Sequence, residues 1–303
     1  MHVSADSFYA LCRDYRMSDK FKSLGQETQK LWGRELEFAC RPNCLGHLSA
    51  FDVGPAETEE YLDGWSDKPG KQAAALTAFK QLEKWALKKK RIKIQFTLGV
   101  EIQKSDGGHI PWTDGHVELG EAKARPDLAR VITLGAATGQ RGSDLIRLMP
   151  SDIEVVRGIR GINVKQVKTG VELWIPITQA LATAMESWEK RPGPFCRMLD
   201  GEPWPSRKPL TEAWNYERDH ANPALQSLKD LGLVLHGLRG HKCVRLYNEG
   251  YNTKQIANLV GMSEQMVARY TKKSVQKENA VAAILHLDPF LKEQSRIRGP
   301  GSA

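Results

Sequence analysis

The chain has 303 residues, 41% of them hydrophobic and 26% charged, the composition of an ordinary globular protein long enough for two packed domains. No apolar run approaches the roughly 20 residues a membrane helix needs, and the charged opening MHVSADSFYALCRDYR is unlike a signal peptide, so a cytoplasmic protein is expected. A formal net charge of +8 fits a polyanionic partner, and five scattered cysteines argue for reduced thiols rather than a disulfide framework.

Along the chain, residues 5–16 set Phe8, Leu11, Cys12 and Tyr15 at helical spacing, and 26–39 do the same with Leu31, Trp32, Leu36 and Phe38. Cys40, Cys44 and His47 lack a fourth ligand at suitable spacing, so no metal is expected there. Helices are predicted over 56–64 and 71–90, the second turning Ala75, Leu76, Phe79, Leu82, Trp85 and Ala86 inward and its lysines outward. Residues 71–93 carry eight basic residues against Glu83 alone, a patch suited to neutralising phosphates, with Lys84, Lys88, Lys89, Lys90 and Arg91 as candidate DNA contacts. Residues 1–103 thus read as a small all-helical domain.

The stretch KSDGGHIPWTDG, 104–115, has the Gly, Ser, Asp and Pro content of an extended linker, which places a second domain at 116–290 and a polar tail at 291–303. In that domain 126–138 reads as an apolar helix closed by Gly139, and 143–148 as a short helix stopped by Pro150, with Arg141 between them. In GINVKQVKTGVELWIPI, Ile162 and Val164 alternate with polar residues, as do Val171, Leu173 and Ile175, predicting a β-hairpin with Lys168 at its turn. Helices follow over 178–189, 211–230, 237–248 and 253–260, the last ending at Gly261. Ser263 caps a further helix that carries Tyr270, and a separate amphipathic run covers 275–287.

Four strings are informative together: TGQRGSDL with Arg141 and Asp144, VKTG with Lys168, HGLRGH with His236 and Arg239, and RYTK with Tyr270. Two arginines offer forked donors to phosphate oxygens, a lysine offers a proton, a histidine accepts one or stabilises the phosphate, and a tyrosine offers a nucleophile. Lys165, on the same hairpin, is the rival for the lysine role.

In this order and spacing the strings resemble the tyrosine recombinases of the phage integrase family, and integrases of bacterial mobile elements in particular. The resemblance implies an α+β fold, mainly α-helical, with a helical N-terminal core-binding domain and a catalytic domain holding a small β-hairpin or sheet. It implies site-specific DNA strand exchange through a 3′-phosphotyrosyl intermediate, without metal or ATP. Arg141, Lys168, His236, Arg239 and Tyr270 would be catalytic, Tyr270 as nucleophile, with Asp144 orienting Arg141 or nearby backbone. The implied partners are double-stranded DNA attachment sites, a homotetramer on synapsis, and DNA-bending accessory or directionality factors, with the protein associated with the nucleoid when bound.

One position departs from the family pattern. A His or Trp usually follows the glycine that ends the penultimate helix, whereas Met262 follows Gly261 here. Methionine donates no strong hydrogen bond to phosphate, so Met262 is read as a packing buttress. His241 is the alternative donor, but its place inside a helix favours a core role.

Overall fold

A computed structural model describes residues 4–41, 43–102 and 108–287, so residues 104–107 of the predicted linker and the tail 291–303 lie outside the described residues. The chain divides into two compact units, residues 1–107 and 108–303. No described helix is long and apolar enough to cross a membrane.

The first unit is helical. Helix α1 (Phe8–Met17) starts where the Ser7 hydroxyl accepts a hydrogen bond from the Ala10 amide, and it buries Phe8, Leu11, Cys12 and Tyr15. The short α2 (Asp19–Lys22) follows, then α3 (Gln26–Ala39), whose Leu36 and Ala39 are buried while Leu31, predicted to face inward, is exposed. Helix α4 spans Pro55–Asp63, and α5 (Pro69–Lys88) buries Ala75, Leu76, Phe79, Leu82 and Ala86. Phe8, Phe79 and Phe96 meet edge to face at centroid separations of 5.8–6.1 Å, the arrangement that aromatic quadrupoles favour, and they anchor this core.

In the second unit, part of the predicted linker is not linker at all. Trp112 is buried, donates from Nε1 to the Val234 carbonyl at 2.9 Å, and packs against Trp214 at 5.4 Å. Thr113 then caps a helix that the sequence reading missed, α6 (Asp114–Lys123). The Gly, Pro and Asp content of 108–115 looks flexible, but one large indole with its N–H satisfied outweighs it.

Helix α7 (Pro126–Thr138) ends at Gly139, which adopts φ 67°, and α8 (Gly142–Leu145) follows. A three-stranded antiparallel sheet comes next: β1 (Ile153–Val156), β2 (Ile159–Lys165) and β3 (Glu172–Pro176), with Ile162 opposite both Ile153 and Ile175. Strand β1 escaped the sequence reading because Glu154, Val155 and Val156 are all exposed, so no polar and apolar alternation marks it. Its turn to β2 uses Arg157 and Gly158, both at positive φ, as a two-residue hairpin turn requires.

Helix α9 spans Gln179–Glu186. The single helix predicted over 211–230 is broken: α10 (Arg207–Tyr216) runs into a wider π-type turn, and Asn222 is extended before Pro223, after which α11 (Gln226–Asp230) begins. Proline removes an amide and disfavours helical backbone in the residue before it. Three helices then complete the unit: α12 (Gly237–Asn248), α13 (Thr253–Val260) and α14 (Glu264–Leu287). The predicted interruption before 275 is absent, because TKKSVQKE holds no glycine or proline to end α14.

Candidate active site

Two helix ends build the floor of the site. Helices α7 and α13 each close on a left-handed glycine, Gly139 at φ 67° and Gly261 at φ 68°. Their carbonyls would otherwise be orphans, and both accept from one side chain: Arg239 donates from Nη1 to Gly139 O at 2.7 Å and from Nη2 to Gly261 O at 2.8 Å. Arg239 stands in the first turn of α12 and is 3% exposed. Burial, and after it the charge of Arg141, lowers its pKa to about 10, so it remains charged at neutral pH. Its guanidinium is held by these two carbonyls.

Arg141 sits between α7 and α8 as the cap of α8, half-buried, and donates from Nη1 to the Gln166 carboxamide oxygen at 2.9 Å. Asp144 is buried and accepts from the Val167 amide at 2.9 Å, so it fixes the β2–β3 turn rather than Arg141. On that turn Lys168 is exposed and engages no side chain among the described residues. Its rival Lys165 is paired with Glu172 at 2.7 Å.

His236 opens α12 half-buried, with the ring of His109 set edge-on at a centroid separation of 4.7 Å. Burial, then the charges of His109, Arg239, Arg141 and Arg207, lower its pKa to about 4. The imidazole is therefore neutral at pH 7.

Tyr270 lies on α14 against α12, in a cluster with Cys243, Val260, Met262 and Val267. Gly240 makes the approach possible: a Cβ there would stand 2.8 Å from Tyr270 Cδ1. Burial raises the tyrosine pKa, Cys243 adds to this, and Arg239, Arg269 and Arg141 oppose it. Met262 receives a weak hydrogen bond from the Cys243 thiol at 3.7 Å, and so packs behind the tyrosine without offering a polar donor. His241 is buried with Nδ1 3.0 Å from the Trp112 carbonyl, a core position.

The fold thus assembles Arg141, His236, Arg239 and Tyr270 with the Lys168 turn beside them. Sequence reasoning missed Gln140, Gln166 and His109, which support them. A glutamine inside a hairpin carries no sequence signal for burial, and His109 lay in the stretch read as linker. In the first unit, Lys84, Lys88, Lys89 and Lys90 are exposed, whereas Arg91 donates to Asp14 at 2.8 Å and is partly committed to that pair.

A mostly helical unit with a small three-stranded antiparallel sheet has the fold of the tyrosine recombinases, enzymes that break and rejoin DNA in site-specific recombination. Residues 120–277 match the phage integrase family, and the chain belongs to that family. Comparison with curated protein sequences finds no match. Among solved structures the chain is similar to a lambda integrase dimer bound to a COC' core site (TM-score 0.67, 19% identity, covering 86% of this chain and 76% of that one). It is also similar to a lambda integrase tetramer bound to a Holliday junction (0.66, 18%, 85% and 77%). Further matches are the Tn1549 transposon integrase in complex with circular intermediate DNA (0.63, 15%, 87% and 94%) and the XerH site-specific recombinase bound to a palindromic difH substrate after cleavage (0.59, 13%, 92% and 96%). At these identities the likeness is one of fold.

Proposed function

We propose that Tyr270 is the nucleophile of a metal-free and ATP-free strand exchange in which Arg141, Arg239, His236 and Lys168 act on the scissile phosphate. The observation that carries this reading is the grip of Arg239 on the carbonyls of both Gly139 and Gly261, because it draws three distant sequence strings to one point. The Tyr270 oxygen attacks phosphorus as its proton passes to neutral His236. The bond from phosphorus to the 5′ oxygen breaks, Lys168 protonates that oxygen, and a 3′-phosphotyrosyl link remains. Attack by a 5′ hydroxyl from the partner duplex reverses each transfer, so bond energy is conserved. The two guanidiniums neutralise the charge that grows on the non-bridging oxygens.

Lys168 is preferred to Lys165 because Lys165 is held by Glu172. Lys84, Lys88, Lys89, Lys90 and Arg91 are proposed as phosphate contacts of the first unit, a core-binding domain at 1–103. By analogy with the lambda protein, which is seen as a tetramer on a Holliday junction, this chain is proposed to act as a homotetramer on two attachment sites, within the nucleoid and with DNA-bending or directionality factors.

The test uses a nicked duplex carrying a site that the protein itself selects from randomised DNA. Tyr270→Phe is expected to bind this duplex with the parent's affinity and to form no covalent protein–DNA adduct. An adduct in that variant would remove Tyr270 from the role.

A further inference from the structure

Gln166 is polar, 1% exposed, and sits where the end of α7, the Lys168 turn and the end of α13 come together, which is an unusual place for a neutral amide. Its carbonyl oxygen accepts from Arg141 Nη1 at 2.9 Å and from the Thr169 hydroxyl at 2.7 Å. Its amide nitrogen donates to the Gln140 side-chain oxygen at 2.8 Å and to the Val260 carbonyl at 3.1 Å. Gln140 itself donates to Thr138 O and Val260 O, each at 3.2 Å. A single carboxamide therefore fastens Arg141, the turn that bears Lys168, the end of α7, and the end of α13 from which the chain turns into the helix of Tyr270.

We infer that Gln166 is a positioning residue for strand cleavage: it sets the Arg141 guanidinium on the scissile phosphate and locks the lysine turn to the same frame. An amide suits this task better than a carboxylate. A glutamate would accept from Arg141 with a full charge and compete with phosphate for it, and it would repel the Gln140 oxygen and the Val260 carbonyl. An aliphatic residue would leave the buried Gln140 oxygen without the amide donor it now has and free Arg141 to turn. The packing is close enough to make the placement definite: a Cβ on Gly261 would stand 2.5 Å from the Gln166 amide nitrogen.

This inference rests on the reading of Arg141 as a phosphate ligand, and the experiment separates the two. Adduct formation is timed in single turnover for the parent, Arg141→Ala and Gln166→Leu, on the selected nicked duplex with either a natural scissile phosphate or a methylphosphonate. The methylphosphonate lacks the non-bridging charge that an arginine neutralises. Gln166→Leu is expected to cleave the natural site about 100-fold more slowly, as a misplacement of about 1 Å can cost, with unchanged duplex affinity. On the methylphosphonate most of this deficit should vanish, as it should for Arg141→Ala.

A parent-like Arg141→Ala would overturn the reading of Arg141 itself. A slow Arg141→Ala beside a parent-like Gln166→Leu would overturn the inference about Gln166, and so would a Gln166→Leu equally slow on both substrates. If Gln166→Leu does not fold, Gln166→Glu keeps the volume and the oxygen that Arg141 meets. It is expected to bind duplex normally and form adduct about tenfold more slowly, by loss of one charge-assisted contact to phosphate, and a parent-like rate in it would equally overturn the proposal.

Discussion

His236 illustrates how much of the chemistry is set by surroundings rather than by residue type. Its imidazole is enclosed by the start of α12 and faced by His109, Arg239, Arg141 and Arg207, so its pKa falls from the ordinary 6.5 to about 4. At this residue the folded state therefore binds fewer protons than the unfolded chain between about pH 4 and 6.5, and the contribution of His236 to stability rises with pH across that window. That contribution is lost as pH falls from 6.5 towards 4. His236→Gln has no proton to take up there, so its melting temperature should decline less steeply over that range than the parent's, as followed by circular dichroism. Equal slopes would mean that the site is wetter than its burial indicates. The residues with chemical character were legible in the sequence because arginine, histidine and tyrosine stand at recognisable spacings. Gln140 and Gln166 were not, since an amide acquires meaning only from the partners that a distant strand and helix bring to it.

The same limit appears among the elements. Helices with explicit punctuation were readable: Pro126 and Gly139 bracket α7, and Asn252 and Gly261 bracket α13. Strand β1, the missed α6 and the unbroken α14 depended on tertiary partners or on overstated local signals, whereas the break at Asn222-Pro223 follows from a proline that the reading of 211–230 as one helix passed over. Punctuation also has a function here, because the two left-handed glycines present their carbonyls to Arg239. Gly261→Ala would force alanine into φ 68° and drive its Cβ against Gln166 Nε2 at 2.5 Å and Leu173 Cδ1 at 2.7 Å. A loss of about 1–3 kcal/mol is expected from the backbone strain alone, measured by urea denaturation. Gly250→Ala, also at positive φ but with open space around its Cβ, should lose less because it meets no neighbour. Equal losses would show that the close approach at Gly261 contributes nothing.

At the scale of the molecule, charge is concentrated at the C-terminal end of α5. The exposed Lys84, Lys88, Lys89 and Lys90 follow one another at the C-terminal end of α5, and Lys90 turns the chain at φ 55° so that Arg91 reaches Asp14. Hydrogen bonds from Arg91 and Arg13 lower the Asp14 pKa against the opposing effect of its partial burial, so that pair stays ionised at neutral pH. The lysines have no such partner among the described residues, and a run of like charges without counterions is unfavourable until a polyanion supplies them. Each phosphate that a lysine neutralises contributes about −0.9 to the slope of log K against log salt. Replacing all four lysines by glutamine should therefore flatten that slope by up to about 3.6, read by fluorescence anisotropy on the selected duplex between about 50 and 200 mM salt. Arg91→Gln alone should change the slope by less than one such contact, because its guanidinium is already shared with Asp14. A slope that the fourfold variant leaves unaltered would place the duplex away from this end of α5, and the net charge of the chain would then need another explanation.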